Sequence, residues 1–448
     1  MIERASVIGL GKLGVCLAAT LSNNGIDVTG VDIDEQVVNQ VNAGEAPVTE
    51  PKLQAYINDA NAELTATTPT ERSITDTDIT FIVVNTPSTE AGRYSLKYVE
   101  EVCELVGRAL GRKDEFHTVA VTSTVFPGST DGEIRDWLEE YSGKTAGEDF
   151  GLCYSPEFIA IGDVIDGLEN PDNFLIGELN ERAGDVVEAI YNEINEDVPV
   201  ARMAATEAEI AKMAINSYVT MKISFVNTLA EICDGVGGNV DNVTEYLALD
   251  SRISGSYLTS GARFGGPCFP RDNVAFARLA EDAGTRAPLA ESTDAVNDQH
   301  TKWIADRVRE TTSEGDSVGI LGMTYKPGTY LVTESQGIEL VAELADDFET
   351  KYYDPMGNRQ AESATDDAEP VLGMADLLRG TDTVVVATPW EEFEEATAFT
   401  DCEVTLVDPW RLFESEELPR SVEYVPIGRE SLDRTTELED PVPPETNP

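Results

Sequence analysis

The apolar positions at the start of the chain cluster in short runs rather than alternate with polar ones. Residues 5–10 form one such run, which ends in Gly9-Leu10-Gly11-Lys12-Leu13-Gly14. A helical spacing of apolar residues follows from Val15 to Leu21. Gly25 breaks it, and a second run from Ile26 to Val31 stops at Asp32. Short continuous runs bounded by glycine suit strands covered on both faces, and the stretch between them suits a covering helix. Further runs at Ile79–Val84, Val119–Thr122 and Gly151–Tyr154 predict more strands of the same sheet. Strands that alternate with helical stretches imply a doubly wound parallel sheet.

From Thr206 the period changes. Ile210, Met213, Ala214, Ser217, Met221, Phe225 and Leu229 fit one face of a single long helix, and helical patterns continue to about residue 310. Strand signals return at Val318–Leu321, Lys351–Tyr353, Thr383–Ala387 and Val404–Val407. The predicted fold class is α/β: two Rossmann-like doubly wound parallel-sheet domains joined by a long central helix and a helical dimerisation region. The expected boundaries are 1–200, 201–310 and 311–430. Residues 431–448 are rich in Pro, Glu, Asp and Thr and are expected to be an acidic, disordered tail. The apolar face of the long helix exceeds the needs of one small domain, so a homo-oligomer, a dimer or a multiple of dimers, is expected.

Charge narrows the setting. Acidic residues number 84 against 31 basic ones, for a net charge of -53, and they are spread along the whole chain. Lysine is scarcer than arginine, ten against 21. Such a chain repels itself at low salt, and molar salt, with a screening length of about 3 Å, removes the repulsion. The composition resembles that of proteins from salt-accumulating halophiles. It disfavours nucleic-acid binding, which requires a basic face. No run approaches the roughly 18–20 apolar residues of a membrane span, and no signal peptide is read at the N-terminus, so a cytoplasmic protein is expected. The six cysteines are scattered without a CxxC pair. With only two histidines, His117 and His300, their spacing offers no metal site.

The opening unit carries a specific chemistry. Gly9 suits a tight turn, Gly11 lets the backbone approach a pyrophosphate, and Gly14 allows close helix–strand packing. The pyrophosphate would sit on the helix N-terminus. Asp32, at the end of the second strand, would bond the ribose hydroxyls. A carboxylate there repels a 2′-phosphate, so NAD is expected rather than NADP.

The segment Arg263-Phe264-Gly265-Gly266-Pro267-Cys268-Phe269-Pro270-Arg271-Asp272 is the other informative stretch. Its glycines let the backbone crowd a ligand. Taken alone it leaves Cys268 open between a nucleophile and a structural thiol. The segment resembles the active-site cysteine motif of the UDP-glucose dehydrogenase family, whose usual form is GFGGxCFxKD. Other family segments follow in order. Ser123-Thr124-Val125-Phe126-Pro127-Gly128-Ser129-Thr130 resembles its STVxPGTT turn, and Ser155-Pro156-Glu157-Phe158 its NPEF motif. Glu209-Ile210-Ala211-Lys212 to Asn216, with Lys222 to Asn227, resembles its central helix. Tyr325-Lys326-Pro327-Gly328-Thr329 and Val407-Asp408-Pro409-Trp410-Arg411 resemble its two C-terminal nucleotide-binding segments.

The resemblance implies a four-electron oxidation of the C6 alcohol of a UDP-hexose, most simply UDP-glucose, with two NAD consumed and Cys268 as covalent nucleophile. It implies Lys212 and Asn216 as oxyanion donors, Asp272 as a base that orients water, and Glu157 and Thr124 as the groups placing the hydrolytic water. Gly9, Gly11, Lys12, Leu13, Gly14, Asp32, Thr86, Pro87, Ser88, Thr124 and Arg271 would hold NAD. Glu157, Phe158, Ile159, Lys212, Asn216, Tyr257, Phe264, Gly265, Lys326 and Arg411 would hold the UDP-sugar. Arg252 would reach a neighbouring subunit's sugar.

Four positions depart from the family pattern. The arginine-glutamate-serine after the Lys326 loop reads Thr333-Glu334-Ser335, without the arginine that touches NAD. An acid usually found four residues after Glu157 is Ile161. The asparagine–glutamate pair of the central helix is Asn227-Thr228, and the usual GxGYVG reads Gly9-Leu10-Gly11-Lys12-Leu13-Gly14. Competing expectations are the same chemistry on a UDP-N-acetylhexosamine or GDP-mannose, a one-step hydroxyacid-type dehydrogenase, and a non-catalytic nucleotide-sugar-binding protein.

Overall fold

The computed structural model describes residues 2–59, 63–159, 162–400 and 402–429. The expected tail at 431–448 and the substituted position Ile161 lie outside the described residues. The chain forms two compact units. One is Met1–Tyr218 with Arg271–Glu291, and the other is Val219–Pro270 with the chain from Ser292 onward.

In the first unit the strands are β1 (Arg4–Ile8), β2 (Asp27–Val31), β3 (Leu64–Thr67), β4 (Ile79–Ile82), β5 (Thr118–Val121), β6 (Gly151–Tyr154), β7 (Phe174–Glu178) and β8 (Val200–Ala204). They make one sheet in the order β3-β2-β1-β4-β5-β6-β7-β8. Every residue of β4, β5 and β6 is buried, as strands covered on both faces must be. The sheet is parallel except between β6 and β7, which pair antiparallel. The apolar runs did not reveal β3, β7 and β8. The last is an edge strand, VARMA, whose Arg202 bonds Glu178, Asp185 and Glu188 instead of entering a core.

The second sheet comprises β9 (Ser317–Leu321), β10 (Glu349–Tyr353), β11 (Glu369–Pro370), β12 (Thr383–Val386), β13 (Val404–Asp408) and β14 (Val422–Pro426). Its order is β11-β10-β9-β12-β13-β14, with every pairing parallel.

Five helices matter for the site: α1 (Lys12–Asn23), α2 (Ala205–Val236), α3 (Val240–Ala248), α4 (Phe269–Asp282) and α5 (Pro288–Thr311). The long helix α2 exists as expected, but its apolar face is not one buried stripe. Met213 is buried, whereas Ile210, Ile215, Tyr218, Phe225 and Ile232 are exposed. Its buried positions include Asn216, Thr220, Ser224 and Asn227. Polar residues therefore face inward here because they have partners to bond, which apolar periodicity cannot see. Among the described residues no helix is long and apolar enough to cross a membrane.

Candidate active site

The first cluster of candidate residues sits at the C-terminal edge of β1. Gly9 has φ +96, and a side-chain carbon there would stand 2.2 Å from the Val83 carbonyl oxygen. At Gly14 the same carbon would meet Gly9 O at 1.8 Å. Both contacts exclude any larger residue, so β1 and α1 pack backbone to backbone. Gly11 caps α1 with extended geometry and no side-chain bond. The first turn of α1 holds no acid, and nothing lies within 4 Å of a carbon added at Gly11. The positive end of the helix dipole and the first-turn N–H groups suit a pyrophosphate. Lys12 and Leu13 follow, half-buried, in the first turn.

Half-buried Asp32 follows β2. Its Oδ2 accepts the Leu10 N–H at 2.7 Å and its Oδ1 the Asp34 N–H at 2.9 Å. The two bonds fix the carboxylate beside the glycine turn. Thr86 donates to Thr124 O at 2.6 Å, tying the β4 and β5 ends together, while Pro87 and Ser88 stay exposed. The donors and the acid present fit a dinucleotide with free ribose hydroxyls.

A second cluster of the same unit surrounds α2. Lys212 Nζ donates to Glu157 O at 2.6 Å and lies 4.5 Å from the Phe158 ring centroid. Glu157 accepts the Tyr191 hydroxyl at 3.1 Å. Burial pushes the Glu157 carboxyl up to about 7, against the pull of Tyr191 and Lys212. Ile159 continues this loop and packs over Gly167.

One helical turn after Lys212, Asn216 Nδ2 donates to Asp272 Oδ2 at 2.6 Å. Asp272 is 1% exposed, and its Oδ1 accepts the Tyr94 hydroxyl at 2.7 Å and Arg271 Nε at 3.1 Å. The Arg271 guanidinium also stacks 4.7 Å from the Tyr94 ring centroid. The structure thus links Glu157, Lys212, Asn216, Asp272 and Arg271.

Two members of this cluster were not legible in advance, and a third, Glu209, was seen in the central-helix segment without a role. Tyr94 and Tyr191 lie in stretches with no motif. Glu209, wholly buried, accepts the N–H groups of Gly128 and Thr130 and so shapes the turn that carries Thr124.

The second unit holds the remaining candidates. Of the six cysteines, all of them described, five are buried and Cys268 is exposed. It immediately precedes α4. Phe264 is buried, and Gly265 touches the Glu334 carbonyl so closely that an added carbon would stand 2.0 Å away. Tyr257 is half exposed with φ +60, and Arg411 has φ +55, two strained backbones among few non-glycine cases. Lys326 is half-buried on the connection after β9.

Arg252 is highly exposed and pairs only locally with Asp250 among the contacts seen, at 2.8 Å. Arg411 is different. Its side chain is 2% exposed, and its guanidinium bonds Asp241 and the carbonyls of Pro409, Ile427 and Ser260. These contacts make it a clasp of backbone segments. At the departure from the family pattern, Arg263 places its guanidinium within 3.1–3.6 Å of Asp298, Glu334 and Glu339.

Comparison with known proteins agrees along the chain. Residues 3–195 match the NAD-binding domain of the UDP-glucose/GDP-mannose dehydrogenase family, residues 206–299 its central domain, and residues 319–415 its UDP-binding domain. The chain is 36% identical to the UDP-glucose 6-dehydrogenase AglM of Haloferax volcanii, over 87% of this chain and 91% of that one.

This chain belongs to the UDP-glucose/GDP-mannose dehydrogenase family.

It is an NAD-dependent oxidoreductase. Other members of the family resemble it at similar distance. A GDP-mannose 6-dehydrogenase of Pseudomonas aeruginosa is 34% identical over 76% of this chain and 78% of its own. A UDP-glucose dehydrogenase structure from Pyrobaculum islandicum superposes with a TM-score of 0.86 at 30% identity, covering 96% of this chain and 98% of that one.

Proposed function

We propose that this dehydrogenase oxidises the C6 alcohol of UDP-glucose to the carboxylate of UDP-glucuronate, through a covalent intermediate on Cys268. The observation that carries the reading is the exposed Cys268 at the start of α4, whose first turn bears Arg271 and Asp272. The positive end of a helix favours a thiolate. The glucose-type form of the FGGPCFPRD segment and the UDP-glucose dehydrogenases among its relatives favour that sugar.

Gly9, Gly11, Lys12, Leu13, Gly14, Asp32, Thr86, Pro87, Ser88, Thr124 and Arg271 are the residues that would hold NAD, which would supply the acceptor for each hydride. Lys212 and Asn216 donate to the C6 oxygen as its negative charge develops. Asp272, fixed by Asn216, Tyr94 and Arg271, takes up the hydroxyl proton through water. The first hydride loss gives the aldehyde. The Cys268 thiolate then adds to C6, and loss of a second hydride converts the thiohemiacetal to a thioester. Glu157 and Thr124 place the water that cleaves it, releasing the carboxylate and the thiol. A Glu157 carboxyl near 7 takes a proton from that water close to neutrality. The resemblance assigns Phe158 and Ile159 of the first unit and Tyr257, Phe264, Gly265 and Lys326 of the second to the UDP-sugar, and Arg411 holds the Ser260 carbonyl of the 260–266 loop.

The exposed Ile215, Tyr218, Phe225 and Ile232 on α2 suit a symmetric dimer in which Arg252 serves the neighbouring site. With a charge of -53, such a dimer forms at high salt. Light scattering across a salt series measures it.

The deciding experiment assays UDP-glucose, UDP-N-acetylhexosamines and GDP-mannose at molar salt for NADH and acid together. Two NADH per UDP-glucuronate is expected, with Cys268→Ala inactive in acid formation. A ratio near one places the protein in the one-step class. Preference for another nucleotide sugar replaces the substrate.

A further inference from the structure

The loop that leads to Cys268 has no regular structure, yet its backbone is gripped at nearly every peptide by side chains of its own unit. Ser260 O accepts from Arg411 Nη2 at 3.0 Å. The Gly261 N–H reaches Asn227 Oδ1 at 3.0 Å, and the amide of the same Asn227 donates to Ala262 O at 3.0 Å. Arg263 N donates to Gln336 Oε1 at 2.9 Å. Asn297 clasps Phe264 from both sides, accepting its N–H and donating to its carbonyl, each at 2.9 Å. Gly266 N donates to Thr333 O at 2.9 Å. The grip has little slack, because a side-chain carbon at Gly261 would stand 2.3 Å from the Trp410 ring.

His300 completes it. Its Nε2 faces Gly261 O at 2.8 Å, and its Nδ1 faces Glu231 Oε1 at 2.9 Å. Both ring nitrogens thus meet oxygens, one of the loop backbone and one of a carboxylate on α2. His300 is 1% exposed and stacks on Trp303, while Arg307 lies beyond that ring and faces Asp234.

The gripping residues are paired on two helices. Asn227 and Glu231 lie one turn apart on α2, as do Asn297 and His300 on α5, so each helix presents one edge to the loop. Asn227, Asn297 and His300 are buried polar groups spent on another segment's backbone, an arrangement that fixes one conformation.

We infer that Asn227, Asn297 and His300, with Glu231 behind His300, are positioning residues that hold the 260–266 loop in one shape and thereby present the Cys268 thiol and the sugar-contacting backbone ready for reaction. They act through the loop and touch no reacting atom. The inference rests on the reading of Cys268 as nucleophile. A nucleophile misplaced by about 1 Å loses on the order of 100-fold in rate.

The test uses the full chain at molar salt with His300→Ala, His300→Gln and the isosteric Asn297→Asp. Asn297→Asp keeps the acceptor for Phe264 N–H and turns the donor to Phe264 O into a second acceptor. Two readouts are followed: acid formation, and the rate of Cys268 alkylation by iodoacetamide, resolved by peptide mass. That label is selective because the other five cysteines are buried. His300→Ala and Asn297→Asp are expected to lower kcat about 10- to 100-fold. They should also shift the alkylation rate at unchanged far-UV circular dichroism. Glutamine at position 300 can still donate to Gly261 O, so His300→Gln recovers part of the loss. Wild-type kcat and alkylation in both variants, or a His300→Gln no better than His300→Ala, overturns the inference. So does a loss of kcat that only follows melting temperature while alkylation stays fixed. Acid formation by Cys268→Ala overturns the covalent reading instead, and leaves the labelling rates meaningful.

Discussion

The two sheets of this protein end their first strands in nearly the same turn, and only one of the turns is left open for a ligand. Gly9 after β1 and Gly322 after β9 both have φ +96. A carbon added at Gly14 would meet Gly9 O at 1.8 Å, and one at Gly337 would meet Gly322 O at 2.3 Å. Each second strand is followed by an aspartate, Asp32 after β2 and Asp354 after β10. There the likeness stops. The helix after Gly9 starts at once, with no side-chain cap. The helix after Gly322 waits for the connection 323–335 and is capped by Ser335 Oγ, which accepts the Ile338 N–H. Asp32 is half-buried and bonds two backbone groups. Asp354 is 2% exposed and accepts from the N–H groups of Met323, Thr324, Met356 and Gly357 and from Trp390 Nε1. A shared turn does not confer a shared site. What counts is which donors and acceptors the protein has not already used.

The largest effects should separate the glycines by unit. Valine at Gly14 collides with backbone that cannot yield, so Gly14→Val is expected to abolish NAD binding and unfold the first unit. Gly337→Val should do equal damage to the second unit while the first still binds NAD. Limited proteolysis with isothermal titration of NAD distinguishes them. NAD binding lost in both would show that the two turns are not independent.

Asp354→Ala strips a buried acceptor from several donors at once and should cost at least about 3 kcal/mol. Urea denaturation at high salt measures that cost, and the NAD to NADP preference should not change. Asp32→Asn keeps one of its two backbone acceptors and so should cost about 1 kcal/mol, less than Asp354→Ala, and it should narrow that preference by about tenfold or more, about 1.4 kcal/mol, because the charge that repels a 2′-phosphate is gone. A coenzyme effect at Asp354, or none at Asp32, would reverse the roles.

What could be read in advance follows the same division. Backbone-to-backbone packing demands glycine at Gly9 and Gly14, and the approach of a pyrophosphate asks for it at Gly11, so the three announced themselves, and the buried runs of β4, β5 and β6 did so by being apolar throughout. Side chains that act through tertiary hydrogen bonds left no periodic trace. Asn227, Asn297 and His300 sit at buried helix positions that an apolar pattern assigns to aliphatic residues. Tyr94 and Asp272 lie far apart in sequence, so their bond belongs to the fold alone. Arg411 was legible as a nucleotide-segment arginine by resemblance, but its burial and its carbonyl partners were not.

Glu157 gives a moderate effect with a definite sign. Its carboxyl is raised from 4.5 to about 7 in the folded state. Between those values the folded protein binds more proton than the unfolded chain, so this group's contribution to stability falls as pH rises from 4.5 towards 7 and stays low above it. Glu157→Gln removes that charge. The variant should be more stable than wild type at pH 8, by on the order of 1–3 kcal/mol in urea denaturation, and the gap should close near pH 5. Acid formation should fall over the same variant because the hydrolytic base is lost. A variant less stable at pH 8 would mean that the Tyr191 bond outweighs burial.

The smallest effect on the fold should come at Gly11, and it sharpens the comparison most. Gly11 has φ -64 and ψ -171, a backbone any residue adopts, and a methyl group there meets nothing within 4 Å. Alanine restricts the unfolded chain more than glycine does, which stabilises by about 0.4–1 kcal/mol where the native backbone accepts it. Gly11→Ala should therefore leave the melting temperature of the NAD-free protein unchanged or slightly higher. The same methyl group would stand where the pyrophosphate approaches the α1 N-terminus, so the KM for NAD should rise about tenfold or more, a loss near 1.4 kcal/mol. No such separation is available around Gly322, where an added carbon would meet Thr388 at 2.4 Å. A stable Gly11→Ala protein with unchanged KM for NAD would mean that the coenzyme does not press against this turn, and the distinction between an open and a used-up turn would fail at its first example.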